Sequence, residues 1–431
     1  MTQRKGLLSV IGIVTVLMAA SIFYLLFADG DDYRYHTGLG HSLALSPNDK
    51  VIAFSFYQNG TEAIYTSALD GTEVKKVSNP DRENHRQPVF SADGSRLLYL
   101  SQNQDGIQSL YIANIDGANP EKLSKDAQHV SGAVFSEDGN TIFYASTPAK
   151  EFMKSEGESQ EGFHLFSVEH DGNNLQRLTD QDLITIHSLI HLDETKEILF
   201  QDDQDVLAFD LEEKRIYQSG FSSKLPNDFF YLTYSPSRNM AAYTAVSNES
   251  KDSSLFKYEL FLRDFTKDHT KRLTDLNTAV VSPVFFHQQE NILFLENVNW
   301  PNVPEEYKLM NIDLKTKEMN EINLGITSSQ SRNPVMKAIN YTVNGWTVGL
   351  LYTLLLLLLT VYVKKVYLPS LISLAIALLS VAASFIVAAA IDPWAGIGVG
   401  MLAAGMLACT IVAFIFAFVW KFIRKGENKN V

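Results

Sequence analysis

Cysteine is almost missing from this 431-residue chain, and the single one, Cys409, lies in a long apolar run. The polar part therefore has no disulfide and no Cys-based metal site, a composition that suits an extracytoplasmic setting without demanding one. Positive charge is also scarce. Residues 28–340 hold 28 Lys and Arg against 47 Asp and Glu, a formal net of −19. That excess argues against a nucleic-acid partner, whose binding rests on neutralised phosphates. No Gly-x-Ser-x-Gly elbow, P-loop or Gly-rich dinucleotide fingerprint occurs, so the familiar hydrolase, nucleotide and dinucleotide signatures are absent. His187 and His191 are four apart, but on a strand they stand about 13 Å from each other, unlike a zincin pair. Asp202, Asp203 and Asp205 lack the spacing and glycine of an EF-hand loop and read as a solvated hairpin turn. The sequence thus reads as a non-enzyme without a cofactor.

Four apolar runs are present, at 7–27, 346–363, 368–391 and 394–420. The first is 21 residues without a charge, enough to span about 30 Å of hydrocarbon as a helix, and longer than a signal-peptide core. It reads as an uncleaved anchor. The second holds eight leucines, which contribute on the order of −4 kcal/mol to insertion. None has an ionisable residue in its core, which argues against a self-sufficient ion or proton pathway. Arg4 and Lys5, then Lys364 and Lys365, then Lys421, Arg424, Lys425 and Lys429 fall on one side of a four-span chain. The positive-inside rule makes that side cytoplasmic, with 1–6 and 421–431 as the two tails. Trp346, Trp394 and Trp420 sit at span ends as interface anchors do. Gly396, Gly400 and Ala404 recur at intervals of four, small enough for close helix packing in this chain or against a partner's spans.

Between linkers 28–40 and 326–345, residues 41–325 carry six variants of one pattern. Its clearest copy runs from Pro88 to Ser124, with turns at Asp93-Gly94, Asp105-Gly106 and Asp116-Gly117 between short apolar runs. Asp-Gly between such runs is a hairpin signal, because glycine takes positive φ at little cost. Counted from Ser46, equivalent positions are Ser91, Ser136, Leu192, Ser235 and Phe286, with spacings of 45, 45, 56, 43 and 51. Four strands per unit of about 45 residues predict an all-β propeller, and six units predict six blades. Units four and six depart from the pattern, leaving their strand limits open.

The repeat resembles the TolB-type (WD40-like) six-bladed β-propeller repeat, also found in the dipeptidyl peptidase and prolyl oligopeptidase group. The resemblance rests on Ser46-Pro-Asn-Asp49, Ser91-Ala-Asp-Gly94 and Ser136-Glu-Asp-Gly139, each followed by an apolar strand and an Asp-Gly turn. It implies that fold and, by analogy, protein contacts in the cell envelope, and the four apolar runs make this chain a membrane-anchored variant of it. It is nearly silent on chemistry, since one fold serves many roles.

Three loops exceed the needs of the repeat: Thr147 to Gly162, Ser247 to Lys257 and Asn297 to Tyr307. Each falls between the second and third strand of its unit, on the face where innermost strands begin. His41, His85, His129 and His187 lie five, six, seven and five residues before the Ser46-equivalent position, around the same channel mouth. They are candidate binding residues, and imidazole is also a common metal ligand. Related propeller lyases use channel-mouth histidines in that way, by resemblance. The preferred reading is an extracytoplasmic scaffold or sensor subunit, anchored in the lipid bilayer, that binds a protein, peptide or envelope polymer. Its acidity predicts a basic partner and a salt-dependent on-rate. The alternatives are a glycan lyase or hydrolase using the histidines, and an accessory subunit of a transport complex.

Overall fold

The computed structural model describes residues 2–27, 31–155, 157–203, 205–326 and 334–427. The chain divides into two units, Met1–Asp31 with Asn333–Val431, and Asp32–Arg332.

The second unit is built of four-stranded antiparallel meanders, six of them among the described residues. Their inner strands are Gly38–Leu45, Asn84–Phe90, Gln128–Phe135, His187–Leu192, Phe230–Tyr234 and Ala279–Phe285. The fifth and sixth meanders join through one parallel pairing of Tyr258 with Ala279. The fourth, whose limits the sequence left open, is complete: His187–Leu192, Glu197–Asp202, Asp205–Asp210 and Arg215–Gln218. Its first turn lacks both the serine and the glycine of the repeat, and Lys196 takes the left-handed conformation with φ 52°.

The repeated Ser-x-Asp segment is a turn device. In the second meander Ser91 Oγ donates to Asp93 Oδ1 at 2.6 Å and accepts the Arg96 N–H at 3.0 Å. The third repeats this with Ser136, Asp138 and the Thr141 N–H, and the fifth with Ser235, Asn239 and the Met240 N–H. Gly94 and Gly139 adopt φ near +71° and +72°, as the turns require. These hydrogen bonds hold the Asp93 and Asp138 carboxyls down at about 2.

No single centre holds the core. Apolar side chains pack between neighbouring meanders: Leu97 and Tyr99 with Ala53 and Ile64, Leu98 and Leu110 with Ile142 and Tyr144, and so on around. The sixth meander packs on the first through Leu293, Leu295 and Leu309 against Phe54 and Tyr65. Asp49 fastens this seam. It is 4% exposed, sits at φ 56°, and accepts N–H groups of His287 and Gln288 at 2.8 and 2.7 Å. The arrangement is a propeller-type fold.

In the other unit, α1 (Thr2–Phe27), α2 (Gly345–Tyr362), α3 (Leu368–Ala390) and α4 (Pro393–Glu427) are long and apolar enough to cross a membrane by length and composition. α1 and α4 extend beyond the apolar runs because their flanking polar residues continue the helix. A shorter helix, Pro334–Thr342, precedes α2. Arg4 lies over the Tyr362 ring and Lys421 over the Tyr367 ring, 5.4 and 5.2 Å from the centroids. The start of α1, the α2–α3 turn and the last turns of α4 therefore share one end of the bundle. Ser373 ties three helices together, 2.7 Å from Tyr352 and 2.5 Å from Thr410 between hydroxyl oxygens. Gly396 faces α3 within the same chain, where an added Cβ would come within 2.3 Å of the Ala388 Cβ. At Gly400 the same atom would meet Ser384 at 3.8 Å. Ala404 is exposed, and Ala403 is the buried residue of that turn.

Candidate binding site at the channel mouth

Each inner strand slips its register against the second strand of its meander. The shifts fall between Leu39 and Leu43, Arg86 and Val89, Val130 and Gly132, His187 and Ile190, Phe230 and Thr233, and Val281 and Val284. A bulge leaves its extra residue outside the ladder and re-aims its side chain. Four residues before the Ser46-equivalent position stand Ser42, Gln87, Gly132, Ser188, Tyr231 and Ser282. Gln87, Ser188, Tyr231 and Ser282 take φ of 52–53° there, a conformation that side chains other than glycine rarely adopt and that surrounding structure must hold. All six line one cavity of about 510 Å³. Hydrogen bonds between adjacent inner strands fix its wall. Ser42 Oγ accepts the Gln87 N–H at 3.0 Å, Ser131 Oγ donates to the Ile186 carbonyl at 2.7 Å, and Ser282 Oγ donates to the His41 carbonyl.

The four sequence-predicted histidines divide. His41 and His187, both five residues before the reference position, line the cavity. His85 and His129, at offsets of six and seven, are 7% and 5% exposed and do not. The His85 ring packs 4.8 Å from that of Tyr99, and His129 stacks on Phe152 at 3.5 Å while its Nδ1 accepts the Gln108 N–H. Along a strand one residue changes the face, which turns His85 away from the cavity, and His129 lies two residues further from the turn, near the start of its strand. No group of three or more His, Cys, Asp or Glu placed to hold a metal ion occurs among the described residues. Asp202 pairs with Asp205 across the hairpin, and its carboxylate accepts the Thr185 N–H at 2.9 Å.

A cluster that the sequence reading missed lies beside His41. Glu62 is fully buried and forms an ion pair with Arg86 at 2.7 Å, with Tyr57 next to Arg86 at 3.5 Å. Gly40 permits this: a Cβ there would stand 2.4 Å from Glu62 Oε1. Tyr33, ahead of the first strand, stacks on Tyr57 at 4.9 Å and donates its hydroxyl to Glu305 of the third long loop. Burial, reinforced by Glu305 for Tyr33 and by Glu62 for Tyr57, pushes both phenols well above their ordinary value. The available signal was an acidic residue at the start of a third strand paired in register with an aromatic one, Glu62 opposite Tyr57.

Burial holds the His85 and His129 imidazoles down at about 4, and His41 below its ordinary value. In the unfolded chain these rings take a proton near pH 6.5. Between pH 6.5 and 4 the unfolded state binds more protons, so stability is full above that window and falls as pH drops through it. Going from pH 7 to pH 5, His85 and His129 should each withdraw on the order of 2 kcal/mol. Urea titrations at the two pH values check this, and His85→Gln should reduce the difference.

The profile of the TolB beta propeller domain matches residues 28–256. Among solved structures the chain is similar to TolB from Acinetobacter baumannii, with 14% identity over 70% of this chain and 66% of that one, and a TM-score of 0.46. It is also similar to an oligogalacturonate lyase from Vibrio parahaemolyticus, with 10% identity over 68% and 80% of the two chains and a TM-score of 0.44. The chain thus spans just under two thirds of that TolB.

Proposed function

This chain belongs to the family of TolB beta propeller domains, and from that premise we propose that it is a membrane-anchored binding subunit without catalytic activity. In this reading a six-bladed propeller stands outside the cytoplasmic membrane, four helices cross the bilayer, and both termini are cytoplasmic. The propeller mouth engages a protein partner of the envelope or membrane, as scaffold or sensor. The observation that carries the reading is the cavity at the mouth. Its wall is a ring of six equivalent positions, five of which bear hydroxyl, carboxamide or phenol groups and the sixth of which is Gly132, with the rings of His41 and His187 beside them. Such a wall offers donors and acceptors to a ligand without a charge of its own. The acidity of residues 28–340 adds long-range attraction for a basic partner. The gathering of Arg4, Tyr362, Tyr367 and Lys421 at one end of the helical bundle supports the orientation.

A photo-crosslinking residue at Ser188, in the cavity wall, tests the proposal in living cells. One dominant protein adduct is expected, and less of it when isolated membranes are irradiated at high instead of low salt. Recovery of the chain alone at low and high salt would overturn the binding role.

A further inference from the structure

The wall of the mouth cavity is uneven. Where the fifth meander meets it the wall is aromatic, because Phe230 and Tyr231 line the cavity and are 47% and 42% exposed. Tyr258 stands edge-on to Phe230 at 5.7 Å, and Trp300 edge-on to Tyr258 at 5.8 Å, so the ring of Phe230 is held in place. The sixth and first meanders bring two carboxylates to the same side. Glu62 is balanced by Arg86 at 2.7 Å. Glu305 is not balanced. Its partner is the neutral hydroxyl of Tyr33, and among the described residues no Lys or Arg forms an ion pair with it.

The charge of Glu305 reaches the cavity wall. Burial raises the Tyr231 phenol and Glu305 adds to the rise. Burial lowers the His41 imidazole, and Glu62 and Glu305 oppose that change. The half-buried Tyr307 is pushed well above its ordinary value by burial and again by Glu305. The rings on this side are thus neutral, the Glu62–Arg86 pair cancels, and one negative charge is left over. Glu62 adds an unused acceptor. Its Oε1 is fully buried and accepts no hydrogen bond among the described residues. That atom lies in the space left by Gly40, one residue ahead of His41 in the wall.

We propose that this side of the mouth is a subsite for an organic cation, the ammonium group of a lysine side chain or of a peptide amino terminus. Glu305 supplies the counter-charge, and Tyr231 and Phe230 supply aromatic surface for the cation and its alkyl stem. A metal ion does not suit the place, since no group of three or more His, Cys, Asp or Glu gathers to ligate one among the described residues. An ammonium needs only one carboxylate and a few acceptors or ring faces. The proposal rests on the mouth being the binding site, as argued above, and names the chemical group that enters it.

The test uses the full-length protein in detergent and saturation-transfer NMR at increasing probe concentration. The probes are N-acetyl-lysine methylamide, glycylglycine amide and the uncharged N-acetyl-norleucine methylamide. One or both cationic probes are expected to bind and the neutral one not to, and the tighter cationic probe identifies the source of the ammonium group. Glu305→Gln, whose amide oxygen still accepts the Tyr33 hydroxyl, should weaken the cationic probe about fivefold. Tyr231→Leu should weaken it about twofold without any change of charge. Glu290→Gln, exposed at the turn between the first two strands of the sixth meander, should leave it unchanged. Equal binding of the lysine and norleucine probes, or cation binding that Glu305→Gln does not alter, would overturn the subsite. Either result with the Ser188 adduct intact leaves the binding role standing. Loss of that adduct with cation selectivity kept would remove the protein partner and leave the subsite.

Discussion

Glu62→Ala should destabilise the propeller by about 3 kcal/mol, and Glu62→Leu combined with Arg86→Met should recover most of that loss. Glu62 has no exposed surface, and its partner Arg86 is 16% exposed. Removing the carboxylate leaves a guanidinium largely out of water with no counter-charge, a change that costs about 3–5 kcal/mol for a deeply buried pair. Some water reaches Arg86, which places the expected figure at the lower end. Replacing both residues by apolar groups of similar volume removes the orphaned charge and the desolvation of both ions together. The single change should also loosen its surroundings, because Tyr57 packs beside Arg86 and Tyr33 stacks on Tyr57. Pulse proteolysis of the full-length protein in urea measures both effects. A single variant as stable as the parent, or a double variant no better than the single one, would contradict the role given to the pair.

Gly396→Leu should separate α3 from α4, whereas Gly398→Leu should be nearly silent. At Gly396 even a methyl group meets backbone, with the Ala388 Cα and N both 2.7 Å from the added atom. Helix backbones cannot swing aside as a side chain can. Overpacking of this kind costs about 1–3 kcal/mol, and here it falls on backbone of the neighbouring helix. An added Cβ at Gly398 has nothing within 4 Å. Loss of the folded fraction on heating in detergent, followed by protease resistance, compares the two. Equal behaviour would mean that Gly396 serves a surface other than the one α3 covers.

The repeat was legible because its turns are chemically demanding. A serine that closes a five-residue loop and a glycine at positive φ recur wherever the turn recurs, and so Ser91, Ser136 and Ser235 could be aligned by eye. The fourth unit was hard to read because Lys196 occupies the left-handed position. The ring of bulges was hidden for another reason. Ser, Gln, Gly and Tyr share no chemistry, and only their constant distance from the turn marks them as one position. That constancy also sorts the histidines. His41 and His187 share an offset and share the cavity wall, while His85 and His129 stand one and two residues off and are buried against Tyr99 and Phe152. Glu62 with Arg86, and Asp49 with His287, pair residues from different units. Within a unit the sequence can place Glu62 opposite Tyr57, but it gives no signal for the partner that the next unit supplies.

The central claim is that a lipid-held propeller works on the outer side of the cytoplasmic membrane. Adding protease to intact, wall-stripped cells that express the chain with a different epitope at each end tests it most directly. The account predicts that the 32–326 body is cut away while both epitopes survive on short membrane fragments. A body that resists protease until the cells are lysed, with the terminal epitopes lost first, would contradict it.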